Sequence, residues 1–226
     1  MIHPQNLGDK RQSQSCIYCT GKIESREHVP SRVFLDEPFP ADLPVINVCE
    51  ECNLGYSLDE EYAASLIECA RVGGVDPSLM QRDKVRRILL RKPQLSDRLK
   101  RAMTATAGVP AFSIESERFE RVLIKLARGH ALFEQNEPRF DAPKEFNFGL
   151  LSMFSDESRR AFESIPLSGI LPEVGSRAMQ RMLIEGAEAG TPWIEVQPDR
   201  YRYMSSNLGN VRIVLSEYIW CEAIWD

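Results

Sequence analysis

Two Cys-x-x-Cys pairs, Cys16/Cys19 and Cys49/Cys52, constrain this chain more than any other feature. Two residues between cysteines let one tight turn aim both sulfurs at a single ion, about 2.3 Å from each. Two such turns complete a closed tetrahedron, the arrangement of structural zinc. A redox Cys-x-x-Cys needs no second pair, so the spacing points to one zinc site held by all four cysteines. The opening stretch MIHPQNLGDKRQSQS is polar and lacks the apolar segment of a secretory signal. No run approaches the roughly 20 apolar residues of a membrane span. The expectation is a soluble cytoplasmic protein, in which clustered cysteines bind metal more often than they form disulfides. Cys69 and Cys221 stand in apolar sequence, LIECA and YIWCEAIW, and read as small buried hydrophobes.

The gap between the pairs is longer than in a compact zinc ribbon and carries an acid-histidine dipeptide, Glu27-His28, in SREHVP. The second pair is followed at once by Asn53 in CEECNLGYS. This order of motifs, from Cys16 to about Asp59, resembles the HNH endonucleases, and more narrowly their zinc-knuckled branch. The resemblance covers less than a quarter of the 226 residues. It implies a ββα-metal module: a hairpin carrying Glu27 and His28, then a helix beginning near Asn53. It further implies metal-dependent hydrolysis of phosphodiester bonds, most naturally in DNA. His28 would be the general base, since an imidazole with an ordinary pKa of about 6.5 is mostly neutral at physiological pH. Glu27 and Asn53 would hold a catalytic Mg²⁺ or Mn²⁺ through oxygen, the donor that hard divalent ions prefer. Zinc on Cys16, Cys19, Cys49 and Cys52 would brace that geometry without performing the chemistry.

The chain departs from the family pattern at two places. An Asn that commonly stands nine residues before the last Asn is replaced by Pro44, the nearest being Asn47. The Lys that often follows is missing, with Tyr56-Ser57 in that stretch, so Arg26 or Arg32 becomes the candidate phosphate contact. The alternative function is a non-catalytic zinc module, derived from the same scaffold, that binds nucleic acid or protein. RNA is the alternative substrate.

Three regions are expected: a polar tail (1–15), the HNH-like module (16–73) and an accessory α+β region (74–226). Within the module, LDEEYAASLIECARV has helical periodicity, with Ser57 as N-cap and Gly73-Gly74 as the stop. Asp59, Glu60 and Glu61 would then lie in the first turn as partners of the helix dipole, with Glu60 a secondary metal candidate.

The net charge of −5 excludes a uniformly basic nucleic-acid coat. A local one remains, because Arg71–Arg101 holds ten basic residues against three acidic. Two basic helices are expected over about 80–103, divided at Pro93, with Arg82, Arg86 and Arg87 as nucleic-acid contacts. SERFERVLIKLARGHALFEQ reads as an amphipathic helix from about Ser116, with His130 a hydrogen-bonded core histidine. His3 falls in the polar tail. Beyond Pro138 the pattern turns to strands, with a hairpin over about 200–224. The fold class is α+β. The C-terminal region is the expected surface for a homo-oligomer or a regulatory partner.

Overall fold

The computed structural model describes residues 14–106, 109–164, 171–185 and 193–225, so the polar tail up to residue 13, with His3, lies outside the described residues. Strand β1 (Ser25–His28) pairs antiparallel with β2 (Val45–Val48), placing Glu27 opposite Ile46 and His28 opposite Val45. Helix α1 (Glu50–Val72) follows at once. It starts a full two turns earlier than Ser57. Cys49 is its N-cap: the sulfur accepts a hydrogen bond from the Cys52 N–H at 3.3 Å, and Glu50 and Glu51 occupy the first turn. The cysteine turn therefore overrides the capping preference of serine, and Asp59, Glu60 and Glu61 sit inside the helix. Gly73, with φ +73°, closes it in the left-handed conformation that glycine adopts at least cost.

Helices α2 (Asp83–Arg91) and α3 (Pro93–Ala102) meet at Lys92-Pro93, where proline suits the first turn of the second helix. A short hairpin, β3 (Met103–Thr106) with β4 (Val109–Phe112), was not foreseen from sequence. Helix α4 (Ser116–His130) begins at the expected residue and continues into a π-turn, Ala131–Gln135. The chain then builds β5 (Glu145–Leu150), α5 (Asp156–Glu163), α6 (Arg177–Glu185), β6 (Ile194–Gln197), β7 (Tyr201–Ser205), β8 (Asn210–Leu215) and β9 (Ile219–Ile224). The five strands form one antiparallel sheet in the order β5-β9-β8-β7-β6. The expected hairpin over 200–224 is thus a three-stranded meander inside a wider sheet. The protein is α+β, with its four-cysteine cluster in the N-terminal region.

Alternation in β7 and β8 puts Tyr201, Tyr203, Val211, Ile213 and Leu215 on the face that packs in one core with Phe119, Leu123 and Leu126 of α4. On the opposite face Val214 is also buried, beside Leu151 and Phe162, with Trp193 and Trp220 packed against them. The main core also takes in Phe34, Leu35 and Leu43 from the loop joining β1 to β2. Polar contacts reinforce that junction. Asp36 in the loop is clasped by Arg82 and Arg200, and its backbone N–H and C=O both bond to the Gln197 side chain, at 2.8 and 3.0 Å. The loop that precedes β2 is therefore positioned by the C-terminal sheet.

His130 is fully buried in this core, as expected from its place on the α4 stripe. Its Nε2 lies 2.8 Å from the Tyr201 hydroxyl, and its ring stacks on Tyr203 at 3.6 Å. Burial, with Arg181 nearby, pushes its pKa down to about 3. The unfolded chain binds the proton below about 6.5, whereas the folded chain refuses it until about 3, so stability falls as pH drops through that window. At pH 5 this costs about 2 kcal/mol relative to neutral pH. Urea melts at pH 7 and pH 5 are expected to show that loss shrinking by about the same amount in His130→Gln. An unchanged acid dependence would assign it to other groups. Cys69 and Cys221 are buried thiols, and burial pushes Cys69 up to about 12.

Candidate active site and metal centre

The four cysteines predicted to share an ion do converge. Their sulfurs all lie within 4.8 Å of one another, with Cys19 and Cys49 at 3.6 Å. A tetrahedron with metal–sulfur bonds of about 2.3 Å has sulfurs about 3.8 Å apart, so the cluster is compatible with zinc. Local backbone geometry delivers the first pair. The Cys16 N–H bonds to the Gly21 carbonyl, and Thr20 takes a positive φ of 62° as the turn closes. A Cβ at Gly21 would stand 3.2 Å from the Cys19 sulfur, so glycine lets the chain pass beside the ligand. Tyr18, between the first two cysteines, packs against Tyr56 of α1 with ring centroids 5.1 Å apart. The knuckle thereby touches the next layer of the site.

That layer follows from two periodicities. Ser25 and Glu27 share one face of β1, and Asn53, Tyr56 and Glu60 share one face of α1. Asn53 Nδ2 donates to Ser25 Oγ at 2.7 Å, tying the start of the helix to the start of the strand. Glu27 meets a different partner set. Its carboxylate accepts from Lys125 of α4 and lies 3.2 Å from Ser31 Oγ. Lys125 also donates to Glu60, and to Ser31 Oγ at 2.9 Å, while the Ser31 hydroxyl bonds to Glu60. The ammonium thus has an acceptor for each of its three N–H groups. The rings of Tyr56 and Tyr18 stand 5.3 and 6.0 Å from it. Burial dominates the electrostatics here, pushing the Glu60 carboxyl up to about 7 and the Lys125 ammonium down to about 7.

His28 ends β1, half-buried, beside this cluster. The crevice that it lines with Tyr18, Glu27, Val29, Ser31, Lys125, Leu126 and Gly129 is too tight for a water molecule. Gly129 suits that closeness, since a Cβ there would stand 3.1 Å from both methyls of Val29 and press that side chain aside. The loop beyond His28 is closed by backbone: the Val29 N–H donates to the Pro44 carbonyl at 2.9 Å.

The residues expected to touch nucleic acid separate into two groups. Arg82 is a correction. Only 2% of its side chain is exposed, and its guanidinium is spent on Asp36 and on the carbonyls of Val33 and Leu35, so it holds the fold rather than a phosphate. Arg32, Arg86 and Arg87 are exposed, with Arg86 paired to Asp83 and Arg32 over the Phe39 ring. Farther along, Arg91, Lys92, Arg98 and Arg118 line a cleft of about 630 Å³ at the α2–α3 corner.

Oxygen donors for a divalent ion are present in part. Glu27 Oε2 is buried and has no hydrogen-bond partner among the described residues, which suits it to a cation. Asn53, the second expected metal residue, has its amide nitrogen committed to Ser25, and the carboxylate that meets the Glu27 cluster is Glu60. Lys125 escaped the sequence reading. Three residues after Val122 and four before Gly129, it lies on the buried stripe of α4, where a lysine demands a counter-charge. That signal was readable. Its partners, 65 and 98 residues away, were not.

Compared with known proteins, the chain matches no family model, no curated protein and no solved structure. Among the described residues, no helix is long and apolar enough to cross a membrane.

Proposed function

We propose that this chain is a metal-dependent endonuclease of the HNH type, hydrolysing phosphodiester bonds in DNA. One observation carries the reading: a four-cysteine cluster staples a β-hairpin to a helix, and the hairpin strand ends in Glu27-His28 against that helix. In this reading His28 accepts the proton of the attacking water at a ring nitrogen, the role for which an imidazole is suited at neutral pH. Glu27 orients the site through its carboxylate. Asn53 fixes the register of α1 on β1 through Ser25, so that a residue two turns on faces Glu27. With Mg²⁺ or Mn²⁺ bound at Glu27, the site would gain the Lewis acid that offsets charge on the phosphate and leaving oxygen. The test is cleavage of supercoiled plasmid with each metal, with single-stranded DNA and RNA as competing substrates. No turnover on any of them would remove the enzyme reading.

Exposed arginines on α2 supply the backbone contacts in this proposal. Arg87→Ala is expected to weaken DNA binding evenly across sequences and to lower the slope of log K against log salt by about 1. Arg82→Ala is expected instead to lower the melting temperature and leave the slope unchanged. Fluorescence anisotropy across a salt series reads both.

A second reading, a non-catalytic zinc module that binds nucleic acid or protein, is favoured by the crevice itself. Lys125 already neutralises Glu27, and no water enters. This module would shift DNA in a gel and cut none.

A further inference from the structure

The cluster at Glu27 is built for a cation. Two carboxylates, Glu27 and Glu60, and the Ser31 hydroxyl point at one place, reached from three separate parts of the chain: β1 and the turn after it, the middle of α1, and α4. The Glu27 side chain is 6% exposed, and its second oxygen has no partner among the described residues. Lys125, 1% exposed, is shared between the two carboxylates, its ammonium bonded to one oxygen of Glu27 and one of Glu60. An unpaired carboxylate oxygen in a site shielded from water favours added positive charge. A divalent ion prefers oxygen donors of this class and would balance both carboxylates at once.

We propose that Glu60 is the second carboxylate of the cation seat at Glu27, and that Lys125 is its resident cation, which a divalent ion must displace in order to bind. The inference deepens the metal-dependent reading above and rests on it for the identity of the ion. It adds Glu60 to a seat for which the family pattern offers Asn53, a residue that braces α1 against Ser25 through its amide nitrogen rather than its oxygen. It also makes the seat composite. Its three oxygen-bearing groups, Glu27, Ser31 and Glu60, come from the stapled module and the cation comes from α4, so residues 16–73 alone would lack the competitor for the ion. The Lys125 ammonium lies 5.3 Å from the Tyr56 ring centroid, and on displacement it is expected to move along that aromatic face on its four methylenes.

The experiment uses the full zinc-loaded chain and Mn²⁺ alone. Binding is followed by loss of the free Mn²⁺ electron paramagnetic resonance signal. Lys125 accessibility is followed by amine acylation and mass spectrometry. Lys125→Met is expected to bind Mn²⁺ at least tenfold more tightly than wild type, equivalent to about 1.4 kcal/mol. Glu60→Gln, which keeps the Lys125–Glu27 pair, is expected to bind at least tenfold more weakly. In the wild type, acylation of Lys125 is expected to rise severalfold as Mn²⁺ saturates the seat. Should Lys125→Met fail to fold, the other two measurements decide. Saturation with Lys125 still protected, or Glu60→Gln binding as the wild type does, would overturn the proposal, as would no Mn²⁺ binding by any form. Mn²⁺ binding that frees Lys125 without plasmid cleavage would leave this inference standing and end the nuclease reading. Cleavage with Lys125 still protected would do the reverse.

Discussion

Removing the ion from the four-cysteine site, by chelation or by Cys49→Ser, is expected to unfold the N-terminal module. The two strands it supports are four residues each, and a two-stranded sheet of that length is marginal by itself. Cys49 belongs to the zinc-compatible cluster and is also the N-cap of α1, so one substitution is expected to remove a metal bond and free helix N–H groups at the same time. In the ion-free cluster burial, together with the neighbouring sulfurs, raises Cys52 well above an ordinary thiol, whereas Cys16, despite burial, is lowered by its hydrogen bonds. Structural zinc in small finger peptides contributes about 10–16 kcal/mol, comparable to the whole stability of a typical domain at about 5–15 kcal/mol. Part of the present core is independent of the module, because the five-stranded sheet and α4 pack on each other. The expected result is therefore loss of bound zinc with a drop in melting temperature of about 10 °C or more. Metal analysis and thermal melts check it. A Cys49→Ser protein that lost zinc yet melted like the wild type would show that the cluster is not a structural staple.

The second large effect concerns His28. Replacing a positioned general base typically costs about 10²–10⁴ in rate. His28→Ala is expected to lower plasmid cleavage by that factor while zinc content and melting temperature stay near wild type, because the side chain lies at a strand end and is only half-buried. On the proposed reading fold and chemistry are expected to separate: Cys49→Ser would lose both, and His28→Ala the chemistry alone. Equal rates for His28→Ala and wild type would transfer the proton to another group or expose a contaminant.

How much of this was legible in advance follows the range of the interactions. The four-cysteine cluster was legible because each pair is a single turn, whose geometry is written in two intervening residues. The same holds for Gly73, which closes α1 through its own backbone conformation, and for His130, whose place on the α4 stripe predicted its burial. The start of α1 was misplaced for a local reason of a different kind. Serine, aspartate and glutamate at 57–61 mimic a capped helix start, but the cysteine sulfur at position 49 caps first. A basic run reads as one solvated face, whereas Arg86 and Arg87 point outward while Arg82 and Lys84 turn in to the loop at Arg32–Asp36.

Readable along the chain were the zinc-capable cysteine turns, the Glu-His strand end, the α+β class and the buried face of α4. These depend on residues within a turn or a few turns of each other. Only the tertiary structure decided that Asn53 reaches Ser25, that Glu60 is the carboxylate at the Glu27 cluster, and that Lys125 lies between the two acids. It also decided that the C-terminal sheet holds the hairpin loop through Asp36. Each of those contacts joins residues 28 to 164 positions apart, and no local period or propensity encodes such a pairing. What encodes it is the shared core, which fixes where buried charges meet once the helices and the sheet have packed.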